Sequence, residues 1–326
     1  MRVGTFPLIH RSQSVECLTA GTSVKQKVTS MLKWRLGLGI PLVAALLLVF
    51  WFDDKMPIPG LVLMPIFLVT LYPLCREVLI LLNAGDIHPR RSTVYIGTYW
   101  IVICSWLAGY RILPPNHENS WDISTTTCLL TLLVMAGGIL IAFVGEMARF
   151  KKPGGNTINL SGAIFAIAYI GMMSSFMVML RCAYGIGALF SMVVTTKFCD
   201  IGAFTVGKLF GRHKLSSVIS PQKTIEGGIG GLMASIGGAW LTIGFLNPLF
   251  SNSEAVTPWW GIVVYGVIVG LAGALGDLAE SLIKRDVQKK DSGEGVPGFG
   301  GILDIFDSLL LAAPVAFGLW AFKLVQ

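Results

Sequence analysis

Apolar residues run in long blocks along this chain, broken by short polar segments rich in Lys, Arg, Gly and Pro. A helix that crosses a bilayer needs about 20 mostly apolar residues. The blocks predict nine such helices, at 36–52, 61–82, 93–113, 124–147, 158–180, 184–207, 225–249, 259–282 and 302–325. The first is short. The sixth carries Lys197 and Asp200, and the ninth carries Asp304 and Asp307. The fold class expected is an all-α polytopic membrane protein. Its expected parts are a polar arm (1–35), an N-terminal group of membrane helices (36–180) and a C-terminal region with cytoplasmic loops that holds the chemistry (181–326).

Charge supports this reading. Of the 25 Lys and Arg, 19 lie in the arm and in the loops after the second, fourth, sixth and eighth helices. Four lie on the other side (Lys55, Arg111, Arg181 and Lys323), and Arg76 and Lys197 lie inside helices. By the positive-inside rule this alternation places the N-terminus and the even loops in the cytoplasm. The first residues show no apolar core or small-residue cleavage site, so no cleaved leader is expected.

Composition agrees with a lipid environment. The 326 residues are 54% hydrophobic and 13% charged, with mean hydropathy +0.71. Soluble chains carry about 25% charged residues. The net charge of +7 sits in short loops between apolar blocks, which reads as topology and gives no expectation of nucleic-acid binding. Cys17, Cys75, Cys104, Cys128, Cys182 and Cys199 form no C-x-x-C pair and read as small apolar side chains. Gly227, Gly231 and the stretch Ala234–Gly238 offer small residues at helical spacing, which lets membrane helices pack closely.

Three charged clusters remain, and ionisable groups inside a membrane are functional candidates by default. In the first, Lys197 and Asp200 stand three apart, the spacing of a helical ion pair, with Lys208 further on. Gly202–Lys208 nearly spells a phosphate loop, but Leu209 stands where Ser or Thr is required, and no strand is expected before it. In the second, Ser220 and Pro221 suit the cap and first turn of a helix, with Lys223 and Thr224 beside its free N–H groups, an arrangement that attracts anions. In the third, Asp277, Glu280, Ser281 and Lys284 share one helix face, and Asp304, Asp307 and Ser308 share another. The loop between them holds Gly293, Gly295, Gly298, Gly300 and Gly301, with Arg285, Lys289 and Lys290. Carboxylates suit a hard divalent cation, basic groups suit phosphate, and glycine lets backbone approach a ligand closely.

At these residues the chain resembles the phosphatidate cytidylyltransferase (CDP-diacylglycerol synthase) family. Ser281, Lys284, Arg285, Lys290, Asp291, Gly293, Pro297, Gly300, Gly301, Asp304 and Asp307 follow that family's C-terminal signature. Cys199–Phe204, Gly207–Arg212 and Ser220–Gly227 resemble its upstream elements. The departures are Phe299 for His, Ile305 for Arg and Val296 for another apolar residue.

The resemblance implies CMP transfer from CTP to phosphatidate, with pyrophosphate released. It implies Mg²⁺ on Asp277, Asp304 and Asp307, with room for a second cation. Asp277, Asp304, Lys284, Arg285 and Asp200 are the implied catalytic set, Asp200 orienting a base or the metal. Lys208, Lys223, Ser220, Thr224, Lys290, Gly300 and Gly301 are the implied substrate contacts. CTP, phosphatidate and the bilayer are the expected partners, a homodimer is left open, and a bacterial inner membrane with the site facing the cytoplasm is the expected location. Two other readings stay open: a CTP-dependent enzyme acting on another lipid phosphate or a lipid alcohol, and a secondary transporter. A transporter would hold its charges near the bilayer midplane in paired half-helices.

Overall fold

The computed structural model describes residues 41, 44–112, 120–151, 153–216, 219–246, 257–290, 292–293 and 300–325, without the side chains of 111–131. The chain divides into Met1–Leu48 and Val49–Gln326. In the first part, residues 44–48 are helical. The architecture that follows is that of the second.

It starts with helical residues 49–54 (α1). Next come α2 (Leu63–Ala84), α3 (Arg91–Ile112), α4 (Ser120–Met147) and α5 (Asn156–Ala166). A π-turn over Ile167–Met172 joins α5 to α6 (Met173–Phe210). A short hairpin, β1 (Lys214–Ser216) and β2 (Ser220–Thr224), precedes α7 (Ile225–Ala239), which runs into a second π-segment, Trp240–Leu246. The last helices are α8 (Trp259–Asp286) and α9 (Leu303–Ala321).

Helices stand at the places expected for the second to ninth spans. Six helical stretches are long and apolar enough to cross a membrane, and the apolar Leu132–Met147 of α4 is shorter. One of the six, Asn156–Phe210, has 55 residues. A straight helix of that length would measure about 80 Å against a hydrocarbon core of about 30 Å. Gly185 divides it, at φ 84° and ψ −177°. That backbone shape is open to glycine and strained for other residues. The resulting limbs, 156–184 and 186–210, match the fifth and sixth expected spans. The arm and most of the expected first span lie outside the described residues, so the count of nine stays an expectation.

Large apolar side chains are exposed on most of these helices, including Val69, Leu132, Phe204, Met233 and Leu275. In water such a surface would aggregate; here it is the face turned to lipid. The interior has two centres. One gathers Leu71, Leu74, Val78 and Leu81 of α2 against Ile101, Val102, Ala163 and Ile170. The other joins Leu189 and Met192 of α6 to Tyr265, Val269, Ala312 and Ala316 of α8 and α9. As expected from the glycine spacing, α6 and α7 pack backbone to backbone. A side chain at Gly227 or Gly231 would press on the Ala203 or Cys199 carbonyl.

The sequence reading needs correction at 220–224. Ser220 and Pro221 do not begin a helix; they lie in β2, whose residues Ser220 and Thr224 pair with Ser216 and Lys214. Thr224 is the cap of α7, with its Oγ1 accepting the Gly227 N–H at 3.1 Å. The fold is therefore all-α but for this one hairpin among the described residues. Pro221 is tolerated because a two-stranded hairpin has an outer edge on each strand.

Helix starts elsewhere are capped by carboxylates from other elements. Asp53 accepts the N–H groups of Gly60, Val62 and Leu63 at 3.0–3.1 Å and pairs with Arg181 at 2.7 Å. Glu146 of α4 accepts the Arg90 N–H just before α3. The first N–H groups of a helix have no partner within it, and hydrocarbon offers none.

Candidate active site

The charged residues of α6, β2, α8 and α9 form three linked groups. The first is built on Lys284, at the C-terminal end of α8. Its ammonium lies 2.8 Å from Glu280 Oε2, one turn back on the same helix, and also reaches Asp304 Oδ1 at the start of α9. Glu280 is fully buried and Lys284 nearly so. The other oxygen of Asp304 accepts from Gly301 N–H at 2.7 Å, Ser292 Oγ at 2.9 Å and Ser292 N–H at 3.3 Å.

The second group lies one turn further along α9. Lys197 donates to Asp200 (3.2 Å), to Ser308 Oγ (3.0 Å) and to the Ile305 carbonyl (3.0 Å). Ser308 in turn donates to Asp200 at 3.1 Å. The expected ion pair is therefore present, as one side of a bridge from α6 to α9. Asp200 accepts from both Lys197 and Ser308. Ile305, which replaces an Arg, contributes its carbonyl. The third group is a single contact: Lys223 of β2 lies 2.7 Å from Asp277 of α8.

Helix packing brings these groups together. A side chain at Gly276 would collide with the Asp307 carbonyl, so α8 and α9 touch beside Asp277. Asp307 is buried, and its Oδ1 accepts the N–H of Ser308. The Tyr169 hydroxyl, buried in the π-turn before α6, has no hydrogen-bond partner among the described residues.

Other expected residues lie outside this cluster. Lys208 is exposed, with its ammonium 5.8 Å from the centre of the Phe204 ring. Arg285 is exposed and donates to the Lys289 carbonyl, and Lys290 is exposed. Ser220 and Thr224 serve the hairpin and the helix cap. Gly300 takes a positive φ of 87° at the foot of the loop, and Gly301 gives its N–H to Asp304. Asp291, Val296, Pro297 and Phe299 lie outside the described residues.

The donors suit Mg²⁺, because all are oxygens. Among the described residues no three His, Cys, Asp or Glu converge on one point that could hold a metal. Asp277, Asp304 and Asp307 thus form no ready-made cage. Mg²⁺ does not require one, since it usually takes one or two carboxylates and completes its shell with water and phosphate. Glu280 Oε1 is buried without a hydrogen-bond partner among the described residues.

Residues 33–322 match the cytidylyltransferase family. The chain belongs to that family. A phosphatidate cytidylyltransferase of Mycobacterium bovis is 34% identical over 190 residues, which cover 58% of this chain and 58% of that protein. One from Mycobacterium tuberculosis is 34% identical over 190 residues, 58% of this chain and 55% of its own length. One from Staphylococcus saprophyticus is 33% identical over 215 residues, 65% of this chain and 76% of its own length. The match thus spans little more than half the length of the mycobacterial relatives.

Two members of this cluster escaped the sequence reading. Ser292 touches Asp304, and Glu77 of α2 touches Ser292 and the start of α9. Glu77 was open to detection as an acid inside an apolar helix. Ser292, a lone Ser beside glycines, gave no signal.

Proposed function

We propose that this chain transfers CMP from CTP to phosphatidate, giving CDP-diacylglycerol and pyrophosphate. Family membership and the relatives' names support the reading. The observation that carries it is that Lys284 bridges Glu280 of α8 to Asp304 of α9, with the Lys223–Asp277 pair two turns back along α8.

The chemistry follows from charge. Phosphoryl and nucleotidyl transfers depend on positioning and charge neutralisation, with little covalent work by protein. Held by one or two of the carboxylates Asp277, Asp304 and Asp307 together with phosphate oxygens, Mg²⁺ would neutralise the triphosphate and make its α-phosphorus more electrophilic. Lys223 holds one carboxylate at a half-exposed position, where it can exchange that partner for a phosphate oxygen, and buried Lys284 fixes Asp304 beside Glu280. Lys208, Arg285 and Lys290, exposed around them, draw CTP in from solution. The phosphate of phosphatidate supplies the attacking oxygen, so no protein nucleophile is needed. Asp200, with Lys197 and Ser308, holds α6 against α9.

The same reading places the N-terminus and the loops that carry 19 basic residues in the cytoplasm, across nine spans. The membrane is then the bacterial inner membrane, with CTP reaching the site from the cytoplasm and phosphatidate from the bilayer.

The test is a purified-protein assay with labelled CTP, Mg²⁺ and a panel of lipid phosphates and lipid alcohols. Label in CDP-diacylglycerol, with phosphatidate preferred, is the expected result. Label transfer only to another lipid, or none, overturns the reading.

A further inference from the structure

Glu77 lies midway along the chain's second helix, 225 residues from Ile302, yet its carboxylate ends at the start of α9. Its Oε1 accepts the Ile302 N–H at 2.9 Å, and its Oε2 accepts the Leu303 N–H at 2.7 Å. Ser292 Oγ donates to the same Oε2 from 3.0 Å. The carboxylate is buried, and no ion pair to it occurs among the described residues.

The backbone is shaped around it. A side chain at Gly293 would press on Glu77, and one at Gly301 would collide with both Glu77 and Ser292. These glycines are the two feet of the loop that joins α8 to α9. Both feet, and the first turn of α9, close on one carboxylate from a distant helix.

The link to Asp304 is direct. Ser292 Oγ is 3.0 Å from Glu77 and 2.9 Å from Asp304. A hydroxyl has one proton to donate, so it serves one carboxylate at a time. Gly301 and Ile302 are adjacent, and their N–H groups go to Asp304 and Glu77 respectively. Asp53 and Glu146 cap other helices in the same way, and what sets Glu77 apart is its shared partner with Asp304. A Ser, Thr or Asp at the cap position would satisfy α9 locally, but Ile302 stands there and has no side chain that can do so. A buried carboxylate is costly unless it is hydrogen-bonded. Here those bonds all run to the residues that frame Asp304.

We propose that Glu77 is a positioning residue, which fastens both feet of the glycine-rich loop and the first turn of α9 so that Asp304 is held against Lys284. The kinetic consequence rests on the cytidylyl-transfer reading; the structural one does not.

The experiment compares the full-length protein with Glu77→Gln and Ser292→Ala in detergent. Gln keeps the shape of Glu but must turn an NH₂ towards an N–H donor. One measurement needs no substrate: amide hydrogen exchange at residues 300–303. Exchange there is expected to be at least about tenfold faster in Glu77→Gln, with the interior of α9 unchanged. The second is kinetic. With phosphatidate and CTP, kcat is expected to fall about a hundredfold, as for a reacting group displaced by about 1 Å. The Mg²⁺ concentration for half-maximal rate is expected to rise, and the KM for CTP to stay within about threefold.

A fall in rate that only tracks the loss of folded protein, with normal kcat and Mg²⁺ dependence in the remainder, overturns the proposal. So does unchanged exchange at 300–303. If the wild-type protein makes no CDP-diacylglycerol, the functional reading fails and the exchange result alone decides the role of Glu77. If Glu77→Gln does not fold, Ser292→Ala decides: a fall in kcat of about tenfold with exchange at Leu303 unchanged upholds the link, and a wild-type kcat overturns it.

Discussion

Lys223, on the strand before α7, lies 2.7 Å from Asp277, on the opposing face of α8. Neither residue is deeply buried, with side-chain exposures of 27% and 36%. An ion pair this open contributes at most about 1 kcal/mol to stability. The contact therefore does little to hold the fold together. Under the proposed cytidylyl-transfer reading, it places a base beside a carboxylate where a triphosphate and its cation would enter.

Lys223→Ala should accordingly leave the unfolding temperature within a few degrees of wild type. The KM for CTP should rise about tenfold, since a phosphate contact present in both ground and transition states acts on binding. Steady-state kinetics with varied CTP, alongside thermal unfolding in detergent, check both. An unchanged KM would remove Lys223 from the nucleotide site.

Asp304→Asn should abolish turnover while the protein stays folded and inserted. Asn keeps the volume and one acceptor for Gly301 and Ser292, but it offers Lys284 and a cation no negative charge. The assay is CDP-diacylglycerol formation across a Mg²⁺ titration. Turnover within about threefold of wild type, with unchanged Mg²⁺ dependence, would contradict a role in metal or phosphate chemistry.

Lys284→Met should be strongly destabilising, because it leaves the fully buried Glu280 without its cation. Removing one partner of a buried pair costs about 3–5 kcal/mol, while replacing both by neutral groups is often harmless. Glu280→Gln combined with Lys284→Met should therefore regain part of the lost stability, with Asp304 still without its cation, and should not regain activity. Thermal inactivation of the two variants distinguishes this from a purely catalytic role for Lys284, under which both would be as stable as wild type.

The proposed topology predicts which side of the membrane exposed positions occupy. In a background without cysteine, Lys55→Cys should react with an impermeant thiol reagent added outside intact cells. Lys290→Cys should react only after the membrane is opened. Both residues are exposed in the structure. The opposite pattern would put the charged cluster on the wrong side for cytoplasmic CTP.

The helices were legible in the amino-acid sequence because their cause is local. An apolar block of about 20 residues has few alternatives to a helix once lipid is the solvent. The faces of α8 and α9 were legible for the same reason, since Asp277, Glu280 and Lys284, or Asp304 and Asp307, share a face by helical period alone. Where two local tendencies competed, the sequence was ambiguous: Ser220 and Pro221 suit a helix start, but pairing with Lys214–Ser216 drew them into a strand and moved the cap to Thr224.

Tertiary structure alone decided which charges meet. Lys284 had carboxylates on its own helix and on α9 within plausible reach, and the fold gave it both. Lys197 gained Ser308 from 111 residues away, and Asp304 gained its hold on Ser292 and Gly301. Glu77 looked like an isolated acid in an apolar helix until folding carried it to Leu303, 226 residues further on. Periodicity describes neighbours on one helix. Partners across helices are set by packing and by the need of every buried N–H and carboxylate to find a hydrogen bond where no water is available.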